Sequence, residues 1–129
     1  RQLIYNKEDA ICGTVQNLLI NATSISFEGL WELVKSFGGV MFPAHVDKTA
    51  NSLIANLGFI PPDSKFVTAE VKDLTKLHKV RKENPYLEKC RIISNSDAHY
   101  LEDIHEPKLT LQVREKSVKG VLEALAGGI

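Results

Sequence analysis

Two short clusters in this chain carry side chains able to do chemistry, and each follows an apolar, β-prone run. His45 comes after Val40-Met41-Phe42 by way of Pro43-Ala44, while Asp97 and His99 come after Arg91-Ile92-Ile93 by way of Ser94-Asn95-Ser96. Imidazole and carboxylate in this pattern point to metal chemistry. Residues two apart at the extended end of a strand project to the same side, so Asp97 and His99 can reach one ion, with His45 as a third ligand from a neighbouring strand end. Nitrogen and oxygen donors of this kind suit Zn, Mn or Fe; a structural thiolate site would need clustered Cys.

Other residues near the clusters have a functional and a plainer reading. Lys48, three residues beyond His45, is a candidate phosphate contact or a surface lysine. Asp47 and Glu70 are candidates for a supporting role at the site. His105 either extends a metal site or serves its own loop, and His78, on a charged helix, reads as structural or solvent-facing. Trp31 and Phe37, at helical spacing, read as core.

The elements that must position these residues are legible as an alternation. Leu3-Ile4-Tyr5 and Ala10 to Val15, separated by polar Asn6 to Asp9, predict a hairpin or a pair of short strands. Ser26 is an N-cap for a helix with Leu30, Leu33, Val34 and Phe37 on one face, stopped at Gly38-Gly39. Val40-Met41-Phe42 predicts a buried strand. A short helix follows over 49–57, stopped by Gly58 and Pro61-Pro62. Phe66 to Val71 predicts a strand, Leu74, Leu77 and Val80 a helix ending before Pro85, Arg91-Ile92-Ile93 a strand and Leu109 to Val113 another. Ser117 caps a last helix with Val118, Val121, Leu122 and Leu125 in a stripe. Repeated strand-helix units imply mostly parallel strands with helices outside, and both clusters then fall past the C-terminal strand ends, where α/β folds gather catalytic groups.

Composition narrows the class of protein. A chain of 129 residues is the size of one domain, here divided into a hairpin-like arm over 1–25 and strand-helix units over 26–129. No apolar run nears the roughly 20 residues that span a bilayer, and the start lacks a signal-peptide layout. Sixteen basic against sixteen acidic side chains argue against a nucleic-acid footprint. The basic residues between Lys72 and Arg91 are interleaved with acidic ones, as on a solvated helix face. Cys12 and Cys90 form no paired motif and read as reduced, largely buried thiols of a cytoplasmic protein. The start at Arg1 rather than Met suggests a segment of something longer.

The runs Gly38-Gly39-Val40-Met41-Phe42-Pro43-Ala44-His45 and Ile93-Ser94-Asn95-Ser96-Asp97-Ala98-His99 resemble the C-terminal part of the polymerase and histidinol phosphatase (PHP) domain family, over about Ser26 to Ala126. The resemblance implies an α/β fold, part of a distorted (β/α)7 barrel. It also implies up to three divalent metals and hydrolysis of a phosphate ester of a small molecule or nucleotide, with His45, Asp97 and His99 as metal ligands and Asp97 and His99 in catalysis. The family's earlier H-x-H and Thr-Asp-His motifs have no counterpart here, since no His precedes His45. The segment by itself is therefore expected to be inactive. The alternatives are a PHP-like module that regulates or assembles without catalysis, and a non-enzymatic fragment that pairs its open strand edges with another chain. Homo-oligomers through such edges are expected.

Overall fold

Asn6 makes the first turn of the chain. In the computed structural model, which describes residues 2–128, its Oδ1 accepts from the backbone N–H groups of Glu8 (3.0 Å) and Ala10 (2.9 Å). Asp9 takes the left-handed conformation, φ 58°, which Asp tolerates better than most residues. This turn joins β1 (Gln2–Tyr5) to β2 (Ile11–Val15) in the expected antiparallel hairpin, with Gln2 opposite Val15 and an irregularity after Ile4. Cys12 is exposed on it, contrary to the buried thiol expected, whereas Cys90 is buried. The hairpin belongs to a first compact unit ending at Leu30, and a second runs from Trp31.

Helix α1 (Phe27–Ser36) starts where Ser26 Oγ accepts from Gly29 N at 3.0 Å. Its stop is Gly38, at φ 69°. Phe37, expected in the core, lies just past the last helical turn and is 83% exposed; the apolar spacing outruns the helix by one residue. Trp31 is half-buried. Helix α2 (Leu53–Leu57) begins at Ser52, whose Oγ accepts from Ala55 N, and ends on Gly58 at φ 81°.

The second unit is organised around β3 (Thr68–Glu70), buried along its whole length, and β4 (Arg91–Ile93), which pairs with it in parallel, Thr68 opposite Arg91 and Glu70 opposite Ile93. The crossover carries a 3-10 turn (Leu74–Lys76), helix α3 (Leu77–Glu83) and a second 3-10 segment opened by Pro85. It is one βαβ unit, as the alternation predicts. Phe66, Ala69, Val71 and Leu87 are fully buried and form its core. The Tyr86 hydroxyl donates to the Ser64 and Phe66 carbonyls and its ring packs 4.8 Å from that of Phe66.

Helix α4 (Val118–Leu125) is capped by Ser117 Oγ, 3.0 Å from Gly120 N. The backbone of Glu115 approaches so closely that a Cβ on Gly120 would lie 2.1 Å from its carbonyl oxygen, so only glycine fits. The last carbonyls of α4 are held by more than its closing turn, in which Gly127 N donates to Ala124 O and Gly128 N to Glu123 O. Arg91 Nη1 also donates to Ala124 O, and Thr68 Oγ1 to Leu125 O at 2.8 Å.

The partial (β/α)7 barrel is not formed. Among the described residues there are two sheets of two strands each, one antiparallel and one parallel, and neither closes. Val40-Met41-Phe42 and Leu109 to Val113, both β-prone, are not strands. The first gives way to an irregular chain beside β3: Glu70 N donates to Pro43 O (3.0 Å) and Val46 N to Glu70 O (2.9 Å), one residue out of the regular parallel pattern. The second stands off from β4 across a cavity of about 520 Å³ lined by Ile92, Ser94, Leu109 and Leu111 among others. No helix among the described residues is long and apolar enough to cross a membrane.

Candidate functional site

Backbone geometry sets the His45 loop. Val46 is buried, 1% exposed, and is tied to β3 by its bond to Glu70 O. His45 stands before it at φ 30°, a region that costs an L-residue about 1 kcal/mol or more. Its backbone N–H donates to Glu70 Oε2 at 3.4 Å, which gives the buried Glu70 carboxylate one partner. Asp47 Oδ1 and Oδ2 accept from the backbone N–H groups of Lys72 (2.8 Å) and Asp73 (2.9 Å). Asp47 is thus a clamp between this loop and the chain leaving β3. Ser52 Oγ donates to Lys48 O at 2.7 Å, which fixes the far side of the loop.

The second loop leaves β4 at Ser94, whose Oγ donates to Lys72 O at 3.3 Å. Asp97 also has positive φ, 52°. Its Oδ2 accepts from two ammonium groups, Lys48 Nζ at 2.9 Å and Lys72 Nζ at 3.5 Å. The hydrogen bond from Lys48 holds the Asp97 carboxyl below its usual range; the charges of Lys48, His45 and Lys72 act in the same sense, and partial desolvation opposes them.

The structure therefore brings His45, Lys48 and Asp97 to one place and adds Lys72. Sequence reasoning had counted Lys72 only among the basic residues of a helix face. The available signal was its position two residues past Glu70, at the same end of β3 as the other site residues.

His99 is placed differently. It is exposed, and its Nδ1 lies 3.1 Å from the carbonyl of Asp97. A carbonyl only accepts, so Nδ1 carries the proton and the Nε2 lone pair is left over. His105 shows the same arrangement, with Nδ1 2.8 Å from Glu106 O and Nε2 buried without a partner, and its backbone N–H reaches Ser96 Oγ at 3.2 Å. His78 is exposed on α3.

Among the described residues no group of three His, Cys, Asp or Glu side chains is gathered closely enough to hold a metal ion. The donors nevertheless suit a divalent cation in kind. His45 Nδ1 is buried with no hydrogen-bond partner, and both lysines on Asp97 meet at its Oδ2. An unpartnered imidazole nitrogen and a carboxylate are the donor types a divalent cation takes, and His99 stands on the adjoining turn. No family model, curated protein or solved structure matches the chain.

Proposed function

We propose that this chain is the later segment of a PHP-like, metal-dependent phosphoesterase, acting in the cytoplasm on a phosphorylated small molecule or nucleotide. The observation that carries this reading is the meeting of the His45 loop with Asp97. Lys48, three residues past His45, pairs with Asp97 Oδ2 at 2.9 Å, so two motifs far apart in sequence converge past the C-terminal ends of β3 and β4. His45, Asp97 and His99 would hold Zn, Mn or Fe, completed by ligands that these 129 residues do not contain. Such ions, when bound, acidify water and neutralise phosphoryl charge. The chain's own residues supply the rest: Asp97 takes the negative-donor role, His45 and His99 bind as neutral imidazoles, and Lys48 and Lys72 attract the phosphoryl oxygens.

A second reading, a non-catalytic PHP-like module, is favoured by one feature, the occupation of Asp97 Oδ2 by two lysines. Titration of the full-length protein, in which the remaining ligands would be present, with Mn²⁺ or Zn²⁺ by calorimetry, alongside His45→Ala, separates the two. The phosphoesterase reading expects saturable binding that His45→Ala abolishes; binding unaffected by that change, or none, favours the module. Each strand of the β1–β2 hairpin leaves one edge unpaired, and we include self-association through such edges in the proposal. Sedimentation showing a monomer at all concentrations would remove it.

A further inference from the structure

Lys48 and Lys72 come from separate segments, yet both ammonium groups lie within 3.5 Å of one oxygen, Asp97 Oδ2. Two cations drawn together repel each other unless an anion stands between them. Asp97 fills that position, and both lysine side chains keep substantial exposure, 36% and 42%, so the pair opens to solvent. Their backbones are held independently of the ion pair, Lys48 through Ser52 Oγ on its carbonyl and Lys72 through Asp47 on its N–H and Ser94 on its carbonyl. Removing the carboxylate charge thus leaves the two stems in place with their ammonium groups unpaired.

We propose that Lys48 and Lys72 are a preassembled oxyanion site in which Asp97 is the resident, exchangeable counter-ion, and that an incoming tetrahedral phosphate takes over both ammonium groups. This rests on the reading of the site as one for phosphoryl groups, and it assigns Lys72 a role that the sequence motifs do not. A lysine ammonium is a rotatable point charge, so it can turn from carboxylate to phosphate with little movement of its stem. The exchange is a hydrogen-bond swap in which no proton or covalent bond changes hands.

The test is calorimetric binding of inorganic phosphate to the 129-residue chain, without metal, for the native protein, Asp97→Asn, Lys72→Gln and the Asp97→Asn/Lys72→Gln double variant. Circular dichroism and thermal melting check that each folds. Asp97→Asn keeps the shape of the side chain and removes its charge, and should bind phosphate roughly tenfold more tightly, the equivalent of one competing charge-assisted hydrogen bond. The double variant should lose that gain. Equal or weaker phosphate binding by a folded Asp97→Asn, or a gain that survives in the double variant, overturns the assignment. Failure of metal to bind in the separate Mn²⁺ titration of the full-length protein would sink the phosphoesterase reading without altering the phosphate result.

Discussion

The loop after Pro43 and the loop after Ile93 present similar residues in sequence, yet they are held in different ways. The first is anchored at every step: Val46 is buried and bonded to β3, Asp47 clamps two backbone N–H groups, and Ser52 fixes Lys48. The second is pinned at its start by Ser94 and the ion pairs of Asp97 and at its far end by His105 N on Ser96 Oγ, while between them Tyr100 and Leu101 are exposed. A rigid loop can present a ligand in one geometry. The second loop, with His99 and Tyr100 exposed, is the more open of the two, so the pair gives one built side and one adaptable side.

The contrast can be broken at its strongest point. Asp47→Ala leaves the N–H groups of Lys72 and Asp73 without acceptors and should cost about 3 kcal/mol, read as a lowered urea midpoint. A loss under about 1 kcal/mol would show that the first loop is no better anchored than the second. Val46→Ala, a cavity at a fully buried position, should cost about 2 kcal/mol by the same measurement.

The ion pair offers a sharper, smaller probe. Because the folded state depresses the Asp97 carboxyl below its ordinary value of 3.8, the stability it contributes is present above that pH and is lost as the pH falls through the lower folded value. Lys48→Gln should flatten this acid limb in melting curves recorded from neutral pH downward; an unchanged limb would mean that Lys48 is not the main cause. His99→Ala should change stability by no more than about 0.5 kcal/mol, as for other exposed positions. A larger loss in the urea midpoint would show the second loop to be packed.

Local chemistry was legible in the sequence wherever it decides local structure. Ser26 and Ser117 cap the helices expected of them and Gly38 and Gly58 stop two, whereas the helix expected over 49–57 starts only at Leu53, on a Ser52 cap the sequence reading did not single out; the β1–β2 turn follows from Asn6 and Asp9. Pairing was less legible, because a β-prone run becomes a strand only when a neighbour offers its backbone. Val40-Met41-Phe42 leads into Pro43, which has no N–H, and into His45 at positive φ, so its contact with β3 is irregular. Leu109 to Val113 faces a cavity instead of a ladder. For the site, the motifs named the loops of His45 and Asp97, which the Lys48–Asp97 ion pair joins, while Lys72 escaped because its place beside Asp97 depends on which strand lies beside which.

The anchoring of α4 has a consequence for how the molecule breathes. At eight residues the helix is too short to persist alone in water, and its last carbonyls are held by Arg91 and Thr68, one from each strand of the parallel pair. Its amide protons should therefore exchange with solvent in the same opening event as those of β3 and β4, a single cooperative unit in the sense of native-state exchange. The amides of a helix at one end of the sequence would then report on the strands from which the Asp97 loop departs.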